Sequence, residues 1–198
     1  MPAWVFLRHG ESVANREGWL SGIVDTPLTP LGCEQAQEAG RALAEVSIDR
    51  AFCSDLSRAV DTAALVLEGR GLEAQQCVGL RERNLGDWAH RLLADLRKSG
   101  ENQVILGWDS APPGGESLAD VFARTLGCLA GLPVFEGDTL VVAHGAVLRV
   151  LVGAIDGIDL ASQATWRIPN AQALIRELPV GYFRDRLALL ASPRSEDE

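Results

Sequence analysis

The stretch WVFLRHGE, Trp4 to Glu11, decides how this chain is read, and LVVAHGAV, Leu140 to Val147, repeats its plan. Each begins with four apolar residues, the composition of a strand buried on both faces, and each turns polar at a histidine followed by glycine. The chain has only three histidines. Two of them, His9 and His144, therefore stand directly where an apolar strand would end.

Working outward, Ala51 to Cys53 and Ala173 to Leu178 are further short runs of strand composition. Helical spacing lies between the runs. Thr29 caps a helix with Pro30 at its first position, and Ala36, Ala39, Leu43 and Val46 share one face. A second helix starts near Ser54 or Asp55 with Leu56, Ala59, Ala63 and Leu67 on one stripe; others are expected from about Glu116 to Leu129 and from Ala146 to about Gly153. Strands alternating with helices predict an α/β fold in three layers, a mostly parallel sheet flanked by helices. Gly181 separates Leu178 from the run Tyr182 to Leu190, so the chain is expected to close with an antiparallel hairpin at the sheet edge.

One domain is expected over residues 1–198, with two departures from the alternating pattern. Residues 84–115 are interrupted at Ser99-Gly100, Pro112-Pro113 and Gly114-Gly115 and read as a small lid over the sheet, anchored by Trp88 and Trp108 and carrying a solvated His90. The polar, acidic end, residues 192–198, has no apolar period and reads as a frayed tail.

Composition excludes several classes. With 198 residues, 47% of them hydrophobic, there is material for one core. The balance of 18 Lys+Arg against 27 Asp+Glu gives a net charge of −9, which lacks the basic footprint of a protein whose main partner is nucleic acid or an anionic membrane. The N-terminal apolar run is too short for a signal peptide, and none approaches the roughly 18 apolar residues of a membrane span, so a cytoplasmic protein is expected. Cys33, Cys53, Cys77 and Cys128 form no CxxC pair and read as reduced thiols, with Cys53 and Cys77 buried.

Ligands of open α/β sheets bind beyond the carboxyl ends of the strands. Four places put reactive or phosphate-matching residues there: Arg8 and His9; Ser54 and Arg58 after Ala51 to Cys53; Arg81, Glu82 and Arg83 after Cys77 to Leu80; and His144. Guanidinium forks match phosphate oxygens, an imidazole is a nucleophile, and a carboxyl moves a proton, which together make a phosphoryl-transfer site. Gly10 and Gly145 read as room for a bulky anion, with the amides opening the helix after His144 pointing toward it. There is no GxxxxGK[ST] loop, no GxGxxG and no carboxylate cluster for magnesium, so neither metal nor cofactor is expected. Arg8, Arg58 and a protonated His144 would make a positive patch within an acidic surface, because charges are screened beyond about 8 Å.

Arg8-His9-Gly10-Glu11-Ser12, with Asn15, resembles the signature of the histidine phosphatase superfamily, the phosphoglycerate mutase-like family. Ser21 to Ala36, Ser54 to Ala63, Leu80 to Trp88, Pro113 to Ser117 and Val141 to Arg149 resemble that family's blocks in order. The resemblance implies a two-step transfer in which His9 attacks phosphorus and Glu82 first protonates the leaving oxygen, then activates water. It implies that Arg8, Arg58 and His144 hold the phosphoryl oxygens, with Asn15 as a further phosphate contact and Ser21 and Gly22 against the substrate. Mutases of the family carry a longer insertion with added basic residues; here Arg91, Arg97 and Lys98 include no adjacent arginine pair. That departure favours metal-independent hydrolysis of a small phosphorylated metabolite. The alternatives are a phosphoglycerate mutase, a protein phosphatase acting on phosphohistidine or phosphoserine, and a silent binding module, which would be expected to lose His9, Glu82 or an arginine. The particular ester and the oligomeric state have no readable code.

Overall fold

The computed structural model describes residues 1–191. In chain order it runs β1 (Ala3–Arg8), α1 (Val13–Glu17), α2 (Pro30–Ala42), β2 (Arg50–Cys53), α3 (Ser57–Val66), β3 (Ala74–Gln76), α4 (Leu93–Ser99), α5 (Asn102–Leu106), α6 (Leu118–Gly131), β4 (Thr139–Ala143), α7 (Gly145–Ile155), α8 (Leu160–Thr165), β5 (Ala173–Glu177) and α9 (Tyr182–Ala191), with single 3-10 turns at Val78–Leu80 and Gly86–Trp88. The strands form one sheet in the order β3-β2-β4-β1-β5, parallel except for β5, which pairs antiparallel with β1.

The apolar runs are uninterrupted because the central strands have no wet face. Val5, Leu7, Leu140 and Val142 point into a core with Ala39 and Leu43 of the α2 region and Ala59 and Ala63 of α3; Trp4, Phe6, Val141 and Ala143 point into the opposite core with α6, α7 and Phe183 of α9. Helices α2 and α3 thus cover one face, and α7, which follows β4, covers the other with α6. Between the neighbouring strands β1 and β4 lies the topological switch point, where α/β sheets open a crevice. The parallel register pairs Arg8 with Ala143, so His9 and His144 each stand one residue past a matched pair.

The closing hairpin is overturned: β5 does end the sheet, but its antiparallel partner is β1, and Tyr182–Ala191 is helix α9. The Pro179–Gly181 turn, in which the Tyr182 amide donates to the Pro179 carbonyl (3.0 Å), starts a helix whose Phe183 meets Trp4 edge-on at 4.8 Å. The frayed tail expected at residues 192–198 lies outside the described residues. The four thiols are free; Cys53 is buried, whereas Cys77 is only half-buried because it leaves the end of edge strand β3. The segment 84–115 folds around its own cluster of Leu85, Trp88 and Leu96, while Trp108 packs on Phe122 of α6. Among the described residues no helix is long and apolar enough to cross a membrane.

Candidate active site

His9 is fixed by both sequence neighbours and distant elements. Its amide donates to Ala143 O (3.0 Å), continuing the β1–β4 ladder, and its ring Nδ1 pairs with Gly10 O at 2.6 Å. As Nδ1–H the ring is locked in one tautomer, with Nε2 left as the basic nitrogen. The ring is 3% exposed and lies edge-on to His144, centroids 5.0 Å apart. Burial first, then Arg8 and Arg58, hold the His9 pKa well below its ordinary value, so the imidazole is neutral and able to attack.

His144 caps α7 without using its side chain, and both ring nitrogens are buried without a partner. Burial, then His9, Arg58 and Arg8, push its pKa well down as well. The expected protonated His144 is therefore corrected: it is neutral, because burial and the neighbouring His9, Arg58, Arg8 and Arg124 disfavour a further cation. Two orphaned buried nitrogens are costly unless a ligand oxygen meets them.

Arg8 donates to Ile168 O (2.6 Å) and Arg58 to Gly22 O (2.8 Å) and Val24 O (3.1 Å), while the Nε of each is buried and unpartnered. Burial is the largest influence on both guanidiniums and lowers their pKa, partly offset by Glu82. Glu82 docks on the start of α7, its carboxylate accepting from the Ala146 amide (3.2 and 3.4 Å) and the Arg83 amide (2.9 Å). A helix N-terminus suits a carboxylate, so the amides expected to face an anion hold the protein's own acid.

Asn15 closes a capping box with Ser12, and its Oδ1 also accepts from Asn170 Nδ2 (3.0 Å), which leaves the Asn15 NH2 to face the cavity it lines. Ser21 and Gly22 line the same cavity; the Gly22 carbonyl is committed to Arg58. Of the eight expected residues, Arg8, Asn15, Ser21, Gly22 and Glu82 line one cavity, while His9, Arg58 and His144 are buried behind that lining. Arg81, by contrast, turns outward to Asp55 (2.6 Å).

The glycine reading needs correction. A Cβ on Gly10 would lie 2.2 Å from the Gly32 carbonyl oxygen, and one on Gly32 would lie 2.0 Å from that of Glu11. Gly10 is small because the start of α2 packs on it, whereas a Cβ on Gly145 would make only ordinary contacts with Arg8 and Glu82.

Three supports escaped the sequence reading. Thr62 accepts from the Gly10 amide (3.0 Å) while donating to Arg58 O (2.6 Å); its place one turn after Arg58, on the same buried stripe, was a usable signal. Asn170 donates to His9 O (3.0 Å), and nothing in its sequence neighbourhood announces this. Arg124 on α6 donates to the carbonyls of Gly79 and Glu82, both at 3.0 Å, and pairs with Glu116 at 2.8 Å, so a distant helix sets the loop that carries Glu82.

Comparison with known proteins agrees with this geometry. The model of the histidine phosphatase superfamily, branch 1, matches residues 4–184. A protein of Nitrobacter hamburgensis named 2,3-bisphosphoglycerate-dependent phosphoglycerate mutase is 40% identical over 190 residues, 89% of this chain and 87% of that one. An adenosylcobalamin/alpha-ribazole phosphatase of Escherichia coli is 38% identical over 172 residues, 84% and 83% of the two chains. A mycobacterial glucosyl-3-phosphoglycerate phosphatase, solved with VO3, superposes with a TM-score of 0.79 at 31% identity over 88% of this chain and 92% of the other.

Proposed function

This chain belongs to branch 1 of the histidine phosphatase superfamily, and we propose that it is a phosphomonoesterase, working without a metal, whose cycle ends in water. His9 Nε2 attacks phosphorus as the bond to the leaving alcohol breaks, and the proton of Glu82 goes to the departing oxygen. The Glu82 carboxylate then takes a proton from water, whose oxygen attacks phosphorus as the N–P bond breaks, releasing phosphate and free His9. Arg8 Nε, Arg58 Nε and the His144 ring, buried and unpartnered within the chain, are the donors for the phosphoryl oxygens. For His144 to donate it must present an N–H, which its neutral form does at one nitrogen. Donors fixed before the reaction are what a phosphoryl transition state requires.

The observation that favours hydrolysis over mutase chemistry is the state of the lid's basic residues. Arg91 is paired with Glu101 and Lys98 with Asp95, leaving Arg97 alone and no adjacent pair to grip a transferable second phosphate. The cavity, about 600 Å³ with Trp19, Leu93, Ile105, Leu106 and Trp166 in its wall, is also much larger than a three-carbon acid and suits a bulky alcohol. The identity to proteins named as mutases supports the second reading, a phosphoglycerate mutase.

One experiment separates them. With a chelator present, the wild type should release phosphate from p-nitrophenyl phosphate and from a sugar or nucleoside phosphate faster than it isomerises 3-phosphoglycerate. Isomerisation outpacing hydrolysis would establish the mutase, and undiminished hydrolysis by His9→Ala would refute the phosphohistidine route.

A further inference from the structure

Two of the four cysteines meet at the root of the stretch that carries Glu82. Cys77 follows strand β3, its amide donating to Cys53 O (2.8 Å), and opens the Val78–Leu80 turn that leads to Arg81 and Glu82. Cys128 lies on α6, one turn after Arg124, which holds the carbonyls of Gly79 and Glu82. The turn is pressed directly onto this part of the helix. A Cβ on Gly79 would lie 2.5 Å from Cys128 Cβ and 3.0 Å from its Sγ, and Thr125 donates its hydroxyl to Gly79 O (3.3 Å). Only a glycine admits that approach, and it brings two sulfurs together. The Cys77 thiol donates to Cys128 Sγ, and both side chains, partly exposed, pack on the same core.

The two sulfurs differ in character. The hydrogen bond from Cys77, helped by Arg124 and the Gly79 amide, outweighs burial and pulls the Cys128 thiol down to about 7, whereas Cys77, as the donor, is pushed up. A thiolate that is exposed and touches a protonated thiol has both an attacking sulfur and a resolving one. The remaining cysteines lack this setting. Cys53 is 1% exposed, and burial pushes its thiol up to about 11; Cys33 sits on α2, across the sheet from α6.

We propose that Cys77 and Cys128 are an oxidation site, a thiol pair that a hydroperoxide converts to a disulfide, stapling the Glu82 stretch to α6. The Cys128 thiolate attacks the peroxide, the O–O bond breaks, and the peroxide's other oxygen leaves as alcohol or water, making Cys128 a sulfenic acid. Cys77 Sγ then attacks that sulfur; the S–S bond forms, the S–O bond breaks, and the hydroxyl leaves as water with the Cys77 proton. Two thiols have lost two electrons, and the peroxide has taken them. Residues 78–127 become a covalent ring closed where Arg124 already grips the turn. Glu82 and the segment 84–115 lie within it, so oxidation restrains the chain around the cavity whichever phosphoryl reaction takes place there.

The test treats the full chain with stoichiometric hydrogen peroxide, alkylates the remaining thiols and maps the peptides by mass spectrometry. Each chain should become lighter by two hydrogens and yield a Cys77–Cys128 linked peptide, with Cys33 and Cys53 still alkylated and dithiothreitol reversing the change. Amides of residues 78–83 should exchange with deuterium at least about threefold more slowly, and Tm should rise by about 5 °C or more, because closing so long a loop restricts the unfolded chain. Cys77→Ser should leave a Cys128 sulfenic acid that dimedone traps, while Cys128→Ser should leave Cys77 reduced. The site is overturned if all four thiols of the treated wild type still alkylate, if the bridge joins another cysteine or two chains, or if Cys128 is oxidised past the sulfenic acid while Cys77 stays free. A disulfide that alters neither exchange nor Tm would overturn the staple.

Discussion

Arg83→Met would loosen the segment 84–115 while leaving the backbone contacts of the Glu82 carboxyl in place. Arg83 is 2% exposed, and its guanidinium donates to Glu116 O (2.6 Å), Ile105 O (2.7 Å), Ser110 O (2.7 Å) and Val104 O (3.4 Å). Three short charge-assisted bonds contribute roughly 1.5–3 kcal/mol each. Against them stands the cost of burying the cation, which with Arg149 nearby pushes its pKa down to about 10, a penalty of about 3 kcal/mol at 1.36 kcal/mol per unit. The net contribution centres on about 3 kcal/mol, enough to change the population in which segment 84–115 is locally unfolded by roughly a hundredfold. Urea unfolding should show that loss, and trypsin should cut at Arg97 and Lys98, on α4, far faster than in the wild type. Because the Arg83 amide still donates to Glu82, KM for a bulky ester should rise more than kcat falls. A variant within about 0.5 kcal/mol of wild type, with unchanged trypsin cleavage, would refute the idea that this one side chain fastens segment 84–115.

Three other outcomes follow from the site. His9 and His144 are held neutral in the fold, yet each binds a proton near pH 6.5 when the chain unfolds. The unfolded state then carries more protons, so stability falls as pH drops below about 6.5, by up to about 2.7 kcal/mol per unit; urea midpoints of wild type and a His9→Asn/His144→Asn variant should diverge in that direction, and parallel curves would contradict it. Gly32→Ala places a Cβ 2.0 Å from a backbone oxygen that cannot rotate away; a loss of at least about 2 kcal/mol is expected by thermal unfolding, and a neutral result would mean that the α2 contact yields freely. Arg124→Met removes the donor to Glu82 O and should slow single-turnover cleavage of alkyl phosphates, which need a proton donor, by about tenfold more than that of p-nitrophenyl phosphate; an equal loss on both would assign Arg124 to folding alone.

The central sheet was legible because both of its faces are buried. That makes WVFL and LVVA continuous apolar runs with an abrupt polar end, and the abruptness is itself the site signal. Helix α9 was misread for the opposite reason: only Phe183 is buried in it, while Leu187, Leu189 and Leu190 are exposed, so no face imposes a helical period on the sequence. The short helices α1, α4, α5 and α8 likewise lack a stripe long enough to count. Residues that suggest chemistry by type, His9, Glu82, Arg8, Arg58 and His144, were readable individually as candidates. Those that act by position were not: Asn170 reaches His9 across 161 positions of sequence, and Arg124 reaches the Glu82 carbonyl across 42. Gly10 was found for a mistaken reason, since its neighbour at Gly32 is visible only in three dimensions.

The ladder pairing of Arg8 with Ala143 divides this molecule into a part whose geometry the main chain sets and a part whose shape the side chains set. The two histidines are spaced by main-chain hydrogen bonds between central strands, which no side-chain substitution can readily lengthen. Other residues that line the cavity, such as Leu93 on α4 and Trp166 after α8, sit outside that ladder. Substitutions there can reshape the cavity without moving the His9 and His144 rings, whose spacing is set by the main chain.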